Sequence, residues 1–595
     1  MKVRFTEALE RNASGRYAHY NHTRFAQEGW EYCDVRSLIS ERQDEWVADL
    51  ERWHIALTER AAGITDMWWL AQGSRFHTWY PSVFKPLVFA VAMLDYCRAE
   101  GIDEITLLAC PREVRECLAD LAPGLELVGE GASVPEFARR SLLWEVLRWG
   151  RMFVGTLPGR GKLPDLRGKR AIVYSHVVDG AVDINREDHF FGRMLDEVPG
   201  LAPDDILWVY LSRAVSRKRE STFMAKLRER GHEFVITRNM MGPLEALDAA
   251  ARCAGLNRCM RRLAGDLPVL KLGSHESRYL PRMYCASIVE NVLPIVELEV
   301  YHAFRRILRA APDVRTLCYP YEEKPLERAI LRARDESGRD VTAIGYSHSI
   351  HNPLHRYYGP RPTAASTPAR PDVFAVTGPA EKAWFERTSG TESGRVHVVG
   401  SSRYVEALGP PVDFGSRESL NVLVMVGQAY EMNMLANLVD EEPRMFEGCN
   451  LTIRKYPFGW SREQDEGIDR IMRHVPDVTA DTVTPMVAQI ERCDVALFNS
   501  TSGGVIAMLS GRVAVYATLH DVFPMDPFAG KSGNDAVIRC SSASEVRAAL
   551  GDARGWTLDE YAETSARQRE FALSIYAPPD GAAWSGLLTG RANQA

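Results

Sequence analysis

The fold is decided by the stretch VALFNSTSGGVIAMLSGRVAVY, from Val495 to Tyr516. It starts with an apolar run, passes through a small and polar turn at Asn499–Gly504, and continues as an apolar helix that Gly511 closes. A second apolar run begins at Val513. Short strands that are apolar on both faces and alternate with helices are typical of parallel sheets in α/β proteins.

The same order of β-branched run, turn and helix recurs along the chain. Further runs are Ile105–Ala109, Ala171–Tyr174, Ile206–Leu211, Phe234–Thr237, Val341–Tyr346, Val373–Val376, Val396–Val399, Asn421–Val426, Leu451–Arg454 and Ala536–Ile538. Two segments rich in Gly and Pro, Gly155–Gly168 and Gly400–Arg417, separate groups of runs. We therefore predict an α/β chain with an N-terminal helical or α+β region at 1–160. Two Rossmann-type parallel-sheet domains, at 165–408 and 415–575, would face a cleft.

The composition is that of a globular protein, since 46% of the 595 residues are hydrophobic and 25% are charged. The 72 basic and 79 acidic residues give a net charge of -7, which provides no general attraction for nucleic acid. We find no secretory signal and no run of about 18 uncharged apolar residues that would span a membrane. The 11 cysteines are scattered without a C-x-x-C pair, which favours reduced thiols and a cytoplasmic location.

The turn in the decisive stretch carries hydroxyl groups and glycines at the end of a predicted strand. Ligands of open α/β sheets bind at the carboxyl ends of strands, and unpaired N–H groups at the start of a helix favour phosphate. We therefore predict that this turn holds the phosphate of a nucleotide. Its residues are Ser500, Thr501, Ser502 and Gly503. The alternative is that a hydroxyl caps the helix and the glycines permit close packing.

Two other strand ends in the same domain carry residues suited to this ligand. The strand Leu451–Arg454 is followed by Lys455 and, after one residue, by Pro457. Cations at this position, Arg454 included, would neutralise a departing phosphate without a bound metal, although a solvated strand end is an alternative reading. The strand Asn421–Val426 ends at Gly427, which would let the backbone approach the ligand.

The middle of the chain supplies carboxylates between a predicted strand and a predicted helix. Glu322 and Glu323 precede Pro325, a residue that suits the first turn of a helix. A positioned carboxylate is what an inverting sugar transfer needs to remove the proton of the acceptor hydroxyl. The alternative is that these residues only decorate a helix N-terminus.

Three histidines follow the next predicted strand, at positions 348, 351 and 355. Their spacing would suit a metal on a continuous helix, but Asn352 precedes Pro353 and the residue before a proline avoids the helical region. We therefore predict no metal site and assign His348 to contact with the donor or the acceptor.

The order of these motifs resembles the C-terminal domain of bacterial GT-B glycosyltransferases. It is most similar to transferases of CMP-activated acids such as Kdo and sialic acid, which hold the cytidine phosphate with a His-Pro pair and a Ser/Thr-Ser pair. Thr501 and Ser502 match the second pair, whereas Tyr456 stands where the first pair has histidine. Ile506 stands where many UDP-sugar enzymes carry a ribose-binding glutamate, which favours a CMP donor.

The middle of the chain also resembles a family of surface carbohydrate biosynthesis proteins. The matching segments are Tyr321–Glu327, Gly345–Ser349, Pro371–Gly378 and Val396–Arg403. The resemblance implies a metal-independent GT-B glycosyltransferase of bacterial surface polysaccharide synthesis. It would transfer a sugar, such as Kdo or a nonulosonate, from a nucleotide-linked donor to a glycan or a lipid-linked acceptor. No cofactor is implied besides this CMP-linked co-substrate.

Two other functions remain open at the level of sequence. The histidines keep open a CDP-polyol phosphotransferase, and the departures at Tyr456 and Ile506 keep open a non-catalytic scaffold of a polysaccharide assembly complex. A basic, tryptophan-bearing helix predicted at 138–153 would contact the inner membrane from its cytoplasmic side. The alternative for that helix is packing on the core by its apolar face.

Overall fold

A computed structural model of the chain describes most of its residues. The described residues are 1–6, 14–20, 29–70, 84–108, 110–129, 163–177, 188–196, 198–212, 217–229, 231, 233–263, 266–279, 281, 283–284, 294–352, 359, 361–408, 411, 414, 418–427, 429–455, 462–475, 478–481, 484–519 and 526–590. The segment 138–153, for which we predict a membrane contact, lies outside them. In the described part of the chain, no helix is long and apolar enough to cross a membrane.

The first unit is a parallel sheet covered by helices. Its strands are β1 Lys2–Thr6, β2 Gly15–His19, β3 Trp30–Tyr32, β4 Glu104–Leu108 and β5 Glu126–Val128, in the order β3-β2-β4-β1-β5. Its helices are α1 Val35–Ile64, α2 Phe84–Ala99 and α3 Arg112–Leu121. The first helix starts where the side chain of Asp34 accepts a hydrogen bond from Ser37 N at 3.1 Å. The sequence predicts a helical or α+β region at 1–160, and the described residues of this region form a five-stranded parallel sheet with three α-helices.

The middle unit is built on seven parallel strands. They are β6 Ala171–Val177, β7 Ile206–Ser212, β8 Phe234–Ile236, β11 Thr316–Pro320, β12 Thr342–Ser347, β13 Val373–Val376 and β14 Val396–Val398, in the order β14-β13-β12-β11-β6-β7-β8. A separate antiparallel pair, β9 Leu270–Leu272 and β10 His275–Ser277, lies between them in sequence. The helices are α4 Arg217–Glu229, α5 Pro243–Leu263, α6 Ile295–Ala310, α7 Pro325–Glu336 and α8 Pro379–Ser389. One face of the sheet shares a continuous apolar core with the first unit.

The C-terminal unit is built on six parallel strands. They are β15 Leu420–Met425, β16 Cys449–Arg454, β17 Val478–Asp481, β18 Val495–Phe498, β19 Val513–Ala517 and β20 Ile538–Cys540, in the order β17-β16-β15-β18-β19-β20. The helices are α9 Ala429–Glu441, α10 Arg462–Met472, α11 Met486–Arg492, α12 Gly503–Leu509, α13 Ala543–Gly555, α14 Leu558–Ile575 and α15 Gly581–Leu588. Apolar cores cover both faces of this sheet, as parallel strands require.

The last helices cross back from the C-terminal unit to the middle sheet. Thr377 donates its hydroxyl to Ile575 O at 2.8 Å and accepts from Ala577 N at 2.9 Å through its carbonyl. Gly378 is needed at this crossing, because a Cβ there would lie 2.4 Å from a backbone oxygen of α14. In α15, Trp584 is completely buried in the core on the second face of the middle sheet.

The strand orders confirm the predicted α/β class with two Rossmann-type domains. Counted along the chain, the C-terminal strands lie in the order 3-2-1-4-5-6, and the middle sheet has the same order with a seventh strand at its edge. The middle and C-terminal units are in contact just beyond the carboxyl end of β12, since Ile350 packs against the C-terminal core.

Candidate active site

Each of the two large sheets has one topological switch point, where ligands of such folds bind. In the C-terminal sheet it lies between β15 and β18, which end near Gly427 and Ser500. In the middle sheet it lies between β6 and β11, and β11 ends two residues before Glu322. The sequence therefore places its candidate residues at the edges that the topology favours.

Glu322 and His348 lie side by side at the edge of the middle sheet. Pro320 on β11 is paired with Tyr346 on β12, so that each of the two site residues lies two positions beyond this pair. The Nε2 atom of His348 is 3.6 Å from Oε1 of Glu322, and the other carboxylate oxygen contacts the ammonium of Lys324. The backbone N–H of Glu322 donates to the carboxylate of Glu327 at 2.8 Å, which holds the residue in place.

The environment of His348 keeps its imidazole neutral. The residue is 5% exposed, and its ring meets the edge of Phe190 at a centroid distance of 4.7 Å. Burial lowers the pKa of His348 well below the ordinary value, and the positive charges of Arg403 and Lys324 lower this pKa further. Its Nδ1 atom has no hydrogen-bond partner among the described residues. A neutral imidazole has one unprotonated ring nitrogen, and this nitrogen can accept a proton.

A second histidine nearby shares this electrostatic environment. Burial lowers the pKa of His189 to about 4, and Arg403 and Lys324 again contribute. Its ring packs against Phe190, which lies between the two histidines. The edge of the middle sheet thus combines one carboxylate with two imidazoles that are uncharged at neutral pH.

Glu323 has a different place from Glu322, although the two are adjacent in sequence. Its backbone has a φ of 59°, a left-handed conformation that turns its side chain into the protein. The carboxylate is 2% exposed, contacts the guanidinium of Arg328 and lies 3.7 Å from Nε of Arg370. Since Arg328 also lies over the ring of Trp69 at 5.3 Å, this ion pair joins the middle unit to the first unit. Glu323 is therefore engaged in this contact between units, and Glu322 is the carboxylate that faces His348.

At the switch point of the C-terminal sheet, the donor groups of Gly427 and Ser500 are directed to a carboxylate. The backbone N–H of Gly427 donates to Oε2 of Glu431 at 2.7 Å, and the hydroxyl of Ser500 donates to Oε1. Glu431 is completely buried in the first turn of α9. The sequence analysis did not single out this residue, whose signal is a carboxylate four positions after a strand-end glycine.

The other residues of the predicted turn follow Ser500 between β18 and α12. Gly503 N donates to the hydroxyl oxygen of Thr501 at 3.2 Å, and Ser502 is the residue before α12. The glycines also have a packing role, because a Cβ on Gly503 would lie 2.7 Å from the sulfur of Met425. A Cβ on Gly504 would lie 2.1 Å from the ring of Phe498.

The two predicted cations at the end of β16 point in different directions. Arg454 donates to Thr484 O at 2.9 Å and to the side chain of Gln489 at 2.5 Å, which directs it toward α11. Lys455 forms an ion pair with Asp465 of α10 at 2.5 Å. Pro457 lies outside the described residues. The structure thus keeps Lys455 near the sheet edge and uses Arg454 to hold a neighbouring segment.

Of the other two histidines of the predicted cluster, only His351 lies in the described part of the chain. His351 is buried in a hydrogen bond with Glu381, and His355 lies outside the described residues. Within the described part of the chain, no group of three or more His, Cys, Asp and Glu side chains is arranged to hold a metal ion.

Comparisons with known proteins give similarity at the level of fold only. No family model matches the chain, and no curated protein matches it. Among solved structures, the chain is similar to a UDP-GlcNAc 2-epimerase from Neisseria meningitidis bound to UDP-GlcNAc, with 10% identity and a TM-score of 0.42, over 71% of this chain and 99% of that one. A lipopolysaccharide outer core galactosyltransferase has 10% identity and a TM-score of 0.41, over 71% of this chain and 99% of that one. HepE of Anabaena, in complex with UDP-glucose, has 11% identity and a TM-score of 0.40, over 71% of this chain and 100% of that one.

Proposed function

We propose that the chain is a glycosyltransferase of bacterial surface polysaccharide synthesis. It transfers a sugar from a nucleotide-linked donor held by the C-terminal sheet to a hydroxyl of an acceptor held by the middle sheet. The observation that carries the proposal is the Glu322–His348 pair at a switch-point edge, with a neutral imidazole whose buried Nδ1 has no hydrogen-bond partner among the described residues. A proton acceptor at that edge is what attack by an acceptor hydroxyl requires.

The transfer step follows from the geometry of this pair. The acceptor hydroxyl gives its proton to Nδ1 of His348, a buried atom that must become accessible when the acceptor binds, while its oxygen forms a bond to the anomeric carbon of the donor. The bond from that carbon to the phosphate oxygen breaks, and the electron pair leaves with the phosphate. Glu322 then stabilises the imidazolium that has formed, because its carboxylate faces Nε2.

The phosphate of the donor is assigned to the edge of the C-terminal sheet. The candidates are the hydroxyls of Thr501 and Ser502 and the ammonium of Lys455, which act without a metal. Glu431 already accepts hydrogen bonds from Gly427 and Ser500, so these two residues shape the turn and hold the carboxylate beside the ligand. We propose a CMP-linked acidic sugar as the donor, on the resemblance of Thr501-Ser502 to the CMP-dependent transferases.

The acceptor is proposed to be a glycan or a lipid-linked precursor, with the segment 138–153 as the contact to the inner membrane. The phosphotransferase reading loses support, because His351 is enclosed with Glu381 and does not face the same site as His348. A non-catalytic scaffold would have no need for a buried imidazole whose Nδ1 lacks a hydrogen-bond partner among the described residues next to a carboxylate.

Nucleotide binding tests the donor half of this proposal directly. We expect CMP to raise the melting temperature of the protein more than UDP or CDP does, because a ligand that binds only the native state stabilises it. Thr501→Ala and Ser502→Ala should remove the shift, whereas Ser541→Ala, at a surface turn of the same domain, should keep it. A rise in melting temperature with UDP alone would indicate a UDP-linked donor in place of a CMP-linked one. No rise with any of the nucleotides would refute the proposal.

A further inference from the structure

Lys531 belongs to the C-terminal unit but is buried against the middle unit. Its ammonium donates to the carbonyl oxygen of His351 and to that of Pro527, the latter at 2.9 Å, and it lies 3.4 Å from Oε1 of Glu381. The side chain of Lys531 is completely buried. A buried ammonium is costly unless it is paired and hydrogen-bonded. Here two carbonyl oxygens accept from its N–H groups and the carboxylate of Glu381 balances its charge.

From Glu381 the contacts continue to the strand that carries the candidate base. Nδ1 of His351 is 2.7 Å from Oε2 of Glu381, and Nε2 is 2.9 Å from the hydroxyl of Ser347. Because the carboxylate requires a donor, Nδ1 carries the proton and Nε2 accepts from Ser347. This order is that of an activated serine, but Ser347 is 1% exposed and Nε2 of His351 holds its hydroxyl at 2.9 Å. We therefore assign the Glu381–His351–Ser347 contacts a positioning role.

The network fixes both ends of the short segment that contains His348. At one end, the side chain of Ser347 is held by the ring of His351. At the other end, the N–H of His351 donates to Glu381 at 3.2 Å and its carbonyl accepts from Lys531. The ring of His351 also stacks on Trp384 at a centroid distance of 4.5 Å. The position of His348 thus depends on a cation from the other domain.

The charges of the network balance only while Lys531 is present. The cation Lys531 and the hydrogen bonds from His351 keep the pKa of Glu381 below its ordinary value despite complete burial. Burial lowers the pKa of His351, so that its ring is neutral beside the ionised carboxylate. Asp526 and Arg387 are the other charged groups that act on Lys531.

We propose that Lys531 is a positioning residue which, from the C-terminal domain, holds His348 against Glu322 through the carbonyl of His351. The proposal rests on the proposed function for the meaning of the Glu322–His348 pair. It implies that the base is assembled only while the two domains are docked. The donor domain thereby controls the chemistry on the acceptor domain without contacting the acceptor.

Hydrogen–deuterium exchange at the C2 position of individual histidines, followed by mass spectrometry, tests the proposal without a substrate. In Lys531→Met, the exchange of His348 should become faster by about tenfold or more, because the segment 347–351 opens locally. Lys382→Met is the matched control, since Lys382 lies next to Glu381 in sequence and pairs with the partly exposed Glu386 at 3.6 Å. It should leave the exchange of His348 unchanged.

The double variant Lys531→Met/Glu381→Gln separates positioning from stability. Removing both charges should return the melting temperature toward the wild-type value, because no uncompensated charge remains buried. The exchange of His348 should stay fast, because the carbonyl of His351 still lacks its donor. Wild-type exchange in either the single or the double variant would overturn the proposal. Both outcomes are independent of whether the protein transfers a sugar, so this inference and the proposed function can fail separately.

Discussion

The Nε2 atom of His348 lies 3.6 Å from Oε1 of Glu322, at the edge where the chain reverses its direction of winding through the middle sheet. The pairing of β11 with β12 brings both residues to the same edge, so the backbone position of each is set by the sheet and not by the other residue. The pair is therefore built into the framework of the sheet, and single substitutions should change its chemistry without unfolding the domain.

Replacing the base should remove turnover and leave nucleotide binding intact. We expect His348→Asn to lower kcat by about 10²–10⁴-fold, the usual contribution of a positioned general base. Glu322→Gln should also lower kcat, because the imidazolium loses its counter-charge. The measurement is release of nucleotide from the donor, and Glu392→Gln at an exposed site of the same domain is the control. Full activity in His348→Asn would show that another group takes the proton.

The pH dependence of turnover should report the unusual environment of His348. Since its pKa is well below 6.5, the base stays active as pH falls below that value, and activity is lost only at more acidic pH. Arg403→Gln and Lys324→Gln each remove a positive charge that lowers this pKa. Each variant should therefore move the acidic limb of the kcat/KM profile to higher pH. An unchanged limb in both variants would exclude His348 as the titrating group.

Glu431 places a negative charge where a phosphate would bind. We expect Glu431→Gln to tighten nucleotide binding by about 1–2 kcal/mol, since a nearby like charge is removed. Titration calorimetry with CMP measures the change, and Glu441→Gln at the exposed end of the same helix is the control. Weaker binding in Glu431→Gln would instead show that this carboxylate accepts a hydrogen bond from a hydroxyl of the ligand.

Two glycines of the C-terminal domain should respond in opposite ways to the same substitution. Gly504→Ala should destabilise the domain by about 1–3 kcal/mol, because its Cβ would overlap the ring of Phe498. Gly551→Ala should stabilise it by roughly 0.5–1 kcal/mol, because Gly551 lies inside α13 with nothing within 4 Å of the added carbon. Urea unfolding of both variants checks the pair. Equal changes in the free energy of unfolding in the two variants would contradict the close packing of α12 on β18.

Lys531→Met should weaken the effect of acid on the stability of the two-domain contact. In the wild type, burial lowers the pKa of His351 on folding, so its contribution is present above the unfolded pKa and is lost as pH falls below it. In the variant, the positive charge of Lys531 no longer lowers this pKa, which moves closer to the unfolded value. Melting temperatures between about pH 5 and 8 should therefore rise less steeply with pH in the variant than in the wild type. An unchanged slope would contradict the charge balance.

The sequence predicts the architecture and the position of the candidate residues at two sheet edges, because both follow from local patterns. Apolar runs that end in polar turns mark the carboxyl ends of parallel strands, and these ends meet at one edge of each sheet. That rule brings Glu322 and His348 together before any coordinates are known. It also brings Gly427 close to Ser500, although 73 residues separate them in the chain.

The rest depends on contacts that no local pattern contains. Glu322 and Glu323 are adjacent and chemically equal, and only the positive φ of Glu323 and its contact with Arg328 distinguish them. The N–H of Gly427 and the hydroxyl of Ser500 both donate hydrogen bonds to Glu431. The carboxylate can accept from both only because β18 pairs with β15. In the first unit, the strands GRYAH and WEY are short and give no continuous apolar signal. Pairing decides their conformation, since β2 pairs with β4 and β3 pairs with β2.

The central claim is that His348 takes a proton during transfer of a sugar from a nucleotide. The most direct measurement is nucleotide release from a panel of CMP- and UDP-linked sugars, by the wild type and by His348→Asn. We expect the wild type to release CMP from an acidic-sugar donor. In His348→Asn, the rate of this release should fall by at least about 10²-fold while CMP binding is kept. Equal release by both proteins, or release by neither from any donor of the panel, would contradict it.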